Sequence, residues 1–311
     1  MTHRIYKYAG PSNLDRILVS PDTVALRCSY PKDFNDPYEL FLTIDFDEKP
    51  EELAFYADAI GQIPQLPTTC FSLSPIVVPM WAHYAQNHEG FAIEFNEEKL
   101  VELFPQSGFG TVDYRDAANP GLKDMLYRAS IIGKPRYVYL LQKGVFSAAY
   151  YTKTTCWSYE QERRMVIHES ETRRVGEMVL MDVPKDCVTA LISGSRASDE
   201  TIAKLRERAE ELGCNYFQQR VGRTTALPYF IDSIEDPYVF DGGEIRPSSQ
   251  YCGACKEPIP SATDECSWCQ IDESHRNAAA SRNPYRMMAH YGMLESYMED
   301  MNSIGRDGSK K

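Results

Sequence analysis

Two stretches of this 311-residue chain crowd together side chains able to do chemistry. The first, CFSLSPIVVPMWAHYAQNHEGFAIEF from Cys70 to Phe95, carries Ser72, Ser74, Trp81, His83, Tyr84 and His88. Each of these polar-tipped groups needs a hydrogen-bond partner once buried, so a plain apolar core does not gather them. A pocket does, and the block is expected to form one wall of a ligand site. The second stretch, WSYEQERRM from Trp157 to Met165, is expected to form the opposite wall. If it enters a strand, Glu160 and Glu162 point to one face, because side chains alternate with period two. Two carboxylates that close either share a site or raise one another's pKa, which suits acid–base work. Arg163 and Arg164 could instead neutralise them in a solvated salt-bridge face.

A third cluster is of another kind. Cys252-Gly-Ala-Cys255 and Cys266-Ser-Trp-Cys269 are two CxxC knuckles separated by a ten-residue loop. Two such pairs place four thiolates tetrahedrally around Zn²⁺, and a complete protein ligand set makes the site structural, with no open position for catalysis. The segment is too small for a core of its own, so the metal would supply much of its folding free energy. His275 is surplus to the set. The other five cysteines are scattered and read as buried free thiols.

The elements that must position these groups follow from periodicity. Ile5–Tyr8, Val24–Cys28, Thr68–Ser72, Phe91–Phe95, Gln161–His168, Met178–Val183 and Val188–Ile192 read as strands. Ser12 is expected to cap a helix, Pro50–Ala59 to form another, and Pro79 to open one running to about Asn87 with Trp81, Tyr84 and His88 on one face. Lys123–Tyr151 is helical by period, broken at Pro135, and Asp199–Leu212 is a helix stopped by Gly213. Strand and helix alternate without a regular βαβ rhythm, which predicts an α+β fold: a single mixed domain with a central split antiparallel sheet over residues 1–231. Residues 232–250 read as a linker, 251–276 as a zinc ribbon, and 277–311 as an amphipathic helix with a disordered tail. That helix, from Pro284 through Met301, carries a stripe of Met287, Tyr291, Leu294, Met298 and Met301, to be packed on the main domain or in a dimer seam.

The net charge of −12 argues against an extended nucleic-acid-coating surface, though not against a local basic pocket. The chain has no apolar run of spanning length and MTHRIYKYAG lacks a signal-peptide core, so a cytoplasmic protein without a membrane partner is expected.

Five segments together resemble a bacterial family labelled domain of unknown function 2971. They are YKY (Tyr6–Tyr8), FNDPYE (Phe34–Glu39), the Cys70–Phe95 block, WSYEQERRM, and VTALISGSRASDETIAKL. The resemblance covers about residues 5–231 and implies a family but no activity. Taken singly, Lys7 reads as a solvated lysine on an edge strand, and Asn35 and Asp36 as residues that hold a turn.

A second resemblance, to the Arg-Ser-Glu pattern of ADP-ribosyltransferases, implies a mechanism. Lys7 stands where that pattern has Arg, with loss of bidentate phosphate recognition; Ser72 matches its serine and Glu162 its final glutamate. The implied reaction splits nicotinamide from NAD⁺ through an oxocarbenium-like state. Glu162 would hold the ribose hydroxyl and Glu160 would orient or deprotonate the acceptor. Ser72 would place the ribose, Tyr84 or Trp81 would stack on nicotinamide, and Lys7 with Lys153 would meet the pyrophosphate, with Tyr6 and Tyr8 beside them. His83 or His88 would hold the pocket together. This implies a toxin or phage-defence effector that modifies nucleic acid or protein. Two other readings stay open. One is a Mg²⁺ or Mn²⁺ nuclease using Asp36, Glu39, Glu94, Glu160, Glu162 and His83. The other is a non-catalytic nucleotide-binding module that signals to a protein partner through the ribbon.

Overall fold

The computed structural model describes residues 3–34, 48–61, 63, 65–117, 119–259 and 264–307, in two units, Met1–Ser248 and Ser249–Lys311. Asn35, Asp36 and Glu39 lie outside the described residues, as does the tail 308–311. In the first unit the period-two segments become strands. In chain order the elements are β1 (Arg4–Ala9), α1 (Leu14–Ile17), β2 (Thr23–Cys28), α2 (Pro50–Gly61), β3 (Thr68–Ser72), α3 (Val78–His83), β4 (Phe91–Asn96) and α4 (Glu97–Leu103). There follow β5 (Gly108–Thr111), β6 (Asp113–Tyr114), α5 (Pro120–Ile132), α6 (Pro135–Tyr151), β7 (Thr152–Lys153), β8 (Glu162–Val166), β9 (Arg173–Val175) and β10 (Met178–Pro184). The unit closes with β11 (Val188–Ser193), α7 (Asp199–Leu212), β12 (Asn215–Arg220), β13 (Tyr229–Ile231), β14 (Pro237–Phe240) and β15 (Ile245–Pro247).

Ten strands form one sheet in the order β15-β14-β13-β12-β11-β4-β1-β3-β8-β5, antiparallel except for the β11–β12 pair. A second sheet runs β2-β10-β9. The fold is the α+β class expected. β1 sits in the middle of the large sheet, so Lys7 is not on an edge. The β1–β3 ladder holds one pair only, Tyr6 opposite Ser72, against six pairs between β1 and β4. The sheet therefore splays beside β1, which is where a cavity can form.

One face of the sheet buries Ile5, Phe71, Ile93, Phe95, Met165 and Leu191, and β2, β10 and α7 cover it. Ser198 caps α7 by accepting from the Thr201 N–H, Asp199 and Glu200 suit its first turn, and Gly213 ends it at φ 69°. The opposite face carries Tyr6, Tyr8, Ala92, Ala190 and Phe217, with Trp81 and Met80 of α3 packed on it.

Three expectations give way. The helix from Pro79 stops at His83 because Gln86, Asn87 and His88 all adopt left-handed backbone, at φ 48°, 54° and 70°. The supposed linker 232–250 supplies β14 and β15, since the Asp241 carboxylate accepts from Gly243 N and Glu244 N and makes Asp-Gly-Gly a hairpin turn. In the second unit the helix expected from Pro284 to Met301 is two, α9 (Pro284–His290) and α10 (Leu294–Asp307), broken at Gly292 with φ 68°, and a further helix, α8 (Glu273–Arg282), precedes them. No described helix is long and apolar enough to cross a membrane.

The left-handed turn locks to the sheet through backbone. Gly194 N donates to Gly90 O at 2.8 Å and Arg196 N to His88 O at 3.0 Å. A Cβ on Gly194 would lie 2.1 Å from the His88 carbonyl oxygen. Both sides of that contact are main chain, so neither can yield cheaply. Gly194→Ala is expected to cost about 3 kcal/mol, read by urea unfolding. A loss under about 0.5 kcal/mol would show that the turn is not rigid.

Candidate functional site

Directly opposed residues of antiparallel strands share a face. The registers therefore set Glu94, Tyr6, Ser72 and Glu162 in one row across β4, β1, β3 and β8. All four are buried, yet none is simply apolar. Tyr6 Oη donates to Glu94 Oε2 at 2.9 Å, and Thr189 Oγ1 donates to Glu94 Oε1 at 2.6 Å. Ser72 Oγ donates to the Ser74 carbonyl and accepts from its N–H. Where β1 and β3 part, a cavity of about 190 Å³ opens, bounded by Tyr6, Ser72, Tyr84, Lys153, Glu160 and Glu162. Lys7, Tyr8, Arg27, Ser29 and Asp33 are among the residues that also line it.

Glu160 and Glu162 converge, but not by strand alternation. Glu160 ends a 3₁₀ turn, Thr155–Glu160, and Gln161 adopts left-handed backbone at φ 47° before β8 begins. What joins the two is Lys153, whose Nζ lies 2.7 Å from Glu160 Oε2 and 3.5 Å from Glu162 Oε2. Arg164, 1% exposed, then grips Glu162 with a two-pronged contact: Nε to Oε1 at 2.8 Å and Nη2 to Oε2 at 3.0 Å. Its Nη1 donates to the Tyr150 carbonyl at 3.0 Å. The pairing with Glu162 was readable in ERRM, because residues 162 and 164 share a face at period two.

The two carboxylates are driven apart. Burial pushes the Glu162 carboxyl up, but Arg164 and then Lys153 outweigh it and hold the pKa at about 2. Burial raises Glu160 above the ordinary carboxylate value, and Lys153 and the hydrogen bond from Tyr84 Oη, at 2.5 Å, only partly offset it. The site thus pairs a carboxylate locked in its ionised form with one that more readily holds a proton. Such a pair can stabilise positive charge on one side of a bond while the other member moves a proton.

The remaining expected residues divide. Lys7 lies on the sheet face opposite Tyr6. Its ammonium bridges to β3, donating to Thr69 Oγ1 at 3.0 Å and to the Cys70 carbonyl at 2.8 Å, and it reaches the cavity from that side. Tyr8 Oη is used on the Ser74 carbonyl at 2.8 Å. Lys153 faces its two carboxylates and the ring of Trp157 at 4.7 Å, rather than an open anion subsite. Trp81 does not line the cavity: it is fully buried, its Nε1 donating to the Pro75 carbonyl at 2.8 Å and its ring set edge-on to Tyr8. His83 is exposed and pairs with Tyr159 Oη at 3.1 Å, away from the lining. His88 stacks on Trp81 and bonds Gln219 Oε1 at 3.1 Å, a supporting role for the turn. Arg27 was missed. It sits on the rim with no carboxylate partner among the described residues, and period two alone gave no sign that β2 would face the site.

Of the divalent-metal arrangement, the three described carboxylates are engaged with protein partners, while Asp36 and Glu39 lie outside the described residues. Glu160 and Glu162 hold Lys153 and Arg164, and Glu94 holds Tyr6 and Thr189. Among the described residues the one group of three or more His, Cys, Asp or Glu side chains at ligand spacing is Cys252, Cys255, Cys266 and Cys269. Their sulfurs lie within 4.8 Å of one another, close enough to hold one metal ion. Cys266 N donates to Cys252 Sγ at 3.3 Å, and Lys256, at φ 63°, turns the chain out of the first knuckle.

The curated proteins and the solved structures contain no match to this chain. Residues 80–165 match the sequence model of one family, described as Protein of unknown function (DUF2971). That segment runs from α3 into β8 and holds Tyr84, Lys153, Glu160 and Glu162, so the chain is similar to this family across one side of the cavity.

Proposed function

We propose that the cavity between β1, β3 and β8 is the active site of a glycosyl-transfer reaction in which NAD⁺ gives up nicotinamide and ADP-ribose passes to an acceptor. The observation that supports this most is the cross-strand row Tyr6–Ser72–Glu162, with Glu160 beside it and its pKa shifted the opposite way. An ionised, clamped Glu162 suits the task of holding a ribose hydroxyl while positive charge grows at the anomeric carbon. Glu160, with Tyr84 Oη on one oxygen and Lys153 on the other, suits proton removal from the acceptor. The cavity is smaller than the ~300 Å³ at which pockets begin to enclose a drug-sized ligand. It would therefore take the nicotinamide-ribose end, with the rest of the dinucleotide at the rim near Lys7 and Arg27. Separately, we propose that the cysteine quartet binds Zn²⁺ in a structural role, since four protein thiolates leave no position for a reacting ligand.

The test is nicotinamide release from NAD⁺ by the full chain in the presence of a cell extract. Glu160→Gln, a near-isosteric change at a carboxyl whose pKa burial raises, is expected to lower release by about a hundredfold or more while Lys153 keeps Glu162 and thermal unfolding still reports a folded protein. Absence of release by the wild-type protein would overturn the reading. So would an undiminished rate in the variant, which would remove Glu160 from its assigned role.

A further inference from the structure

The α5–α6 hairpin carries a charge opposite to that of the chain. Residues 120–151 hold five Lys or Arg and one Asp, a net +4, in a protein of net charge −12. The inner faces of the two helices, Leu122, Leu126 and Ala129 with Leu141 and Val145, pack on Tyr56 and Ala59 of α2. That burial turns the remaining side chains outward. Arg128, Lys134, Arg136 and Lys143 are all exposed, and none pairs with a carboxylate among the described residues. Unpaired cations in an acidic protein are a local departure that packing does not require.

Rings are interleaved with these cations. Tyr127 and Tyr139 are 59% and 57% exposed. The Arg136 guanidinium lies 4.8 Å from the Tyr137 ring centre, and Lys143 Nζ lies 5.6 Å from that of Tyr139. On α6, Arg136, Tyr139 and Lys143 follow at steps of three and four, so they form one stripe along the helix. The helix rises about 25 Å over its length and leads directly into β7, whose Lys153 lines the cavity.

We propose that this hairpin docks a single-stranded nucleic acid, with phosphates on Arg128, Lys134, Arg136 and Lys143 and bases stacked on Tyr127 and Tyr139. Charge complementarity selects a polyanion, and the alternation of cation and ring along α6 matches a strand in which phosphate and base alternate. Ile131 and Ile132, exposed at the hairpin tip, are what a membrane contact would use, but the cations and rings run on along α6 past that tip to Tyr139 and Lys143, as a strand requires. The patch is local, in agreement with a net charge that argues against an extended basic coat. In the glycosyl-transfer reading the strand would be the acceptor, led along α6 to Lys153. The docking does not depend on that reading.

Fluorescence anisotropy of the full chain with a labelled mixed-sequence oligonucleotide of about 20 nucleotides, without NAD⁺, tests the docking. Binding is expected, with log K falling against log salt at a slope of about −3, the value for four cations on a single strand. Arg136→Glu combined with Lys143→Glu is expected to weaken binding by about tenfold or more and to reduce that slope by about half. Tyr139→Ala should weaken binding with the slope unchanged, because stacking releases no counterions. All three positions are exposed, so the fold is not at stake. The proposal is overturned if neither a DNA nor an RNA strand binds, or if the double variant binds as tightly as wild type. Sedimentation with phosphatidylserine vesicles in place of oligonucleotide binding would also overturn it, in favour of a membrane surface.

Discussion

Glu162→Gln is expected to destabilise the protein by about 3–5 kcal/mol at neutral pH, because the amide removes the charge that the buried Arg164 guanidinium clamps, while Lys153 keeps Glu160. The effect belongs to the pairing and not to the volume lost, since Gln fills almost the same space. Replacing Glu162 and Arg164 together by Met should therefore recover much of the loss. The pH dependence separates this from a simple packing defect. Glu162 titrates at about 2 in the folded protein, below the ordinary 4.5. A depressed carboxylate contributes stability that is complete above the unfolded value and is lost as pH falls towards the folded one. Wild type should thus lose on the order of 3 kcal/mol from this group between about pH 5 and pH 2. Glu160 acts with the opposite sign: its raised pKa favours the fold at low pH, and that contribution fades as pH rises through the folded value. Urea unfolding at several pH values should show the wild-type and Glu162→Gln curves converging in acid. A gap that stayed constant with pH would mean that the clamp contributes nothing electrostatic. This stability cost also explains why Glu160→Gln, rather than Glu162→Gln, is the cleaner probe of catalysis.

The strands were legible because alternation is a local property. Arg4–Ala9, Thr68–Ser72, Phe91–Asn96 and Glu162–Val166 each show it within a handful of residues. Their register was not legible, because Tyr6, Ser72 and Glu162 meet only once three non-consecutive strands lie side by side. Composition suggested the wrong structure where a turn and a linker look alike: Asp241-Gly-Gly is polar and glycine-rich in either state, and the flanking Val239 and Ile245 were the signal of a hairpin. Trp81 was drawn into the site by its neighbours in the chain. Its indole N–H is satisfied by Pro75 six residues away, a local bond that the CFSLSP turn makes and that spacing does not reveal. The Gln86–His88 turn was hidden for a related reason, since left-handed backbone at three successive non-glycine residues runs against their intrinsic preference and is held by main-chain bonds back to Trp81 and Ala82 and across to Gly194 and Arg196.

Removing metal from the second unit should unfold it and spare the first. Within that unit the buried apolar cluster is Cys252, Ile259 and Cys266, with Cys255 and Cys269 packed against it. Four of those five residues are the expected ligands, so the core and the metal site are the same object. Without an ion, four thiols would crowd within 4.8 Å around a single isoleucine, which cannot offset the conformational entropy of ordering the chain. Bound zinc in such a site contributes about 10 kcal/mol or more at neutral pH, enough to decide between folded and unfolded. The first unit has its own large cluster around Ile5, Phe95 and Leu191 and takes no ligand from the quartet. Treatment with a strong zinc chelator is therefore expected to release one zinc per chain and to expose four reactive thiols. Protease cleavage should then begin after about Ser248, while the main thermal transition of the first unit stays in place. Cys266→Ser should reproduce this, since a three-thiolate site loses both a metal ligand and a buried member of the core. A second unit that stayed protease-resistant after chelation would refute the metal as its organising element, because Ile259 is the one buried apolar side chain besides the cysteines among its described residues.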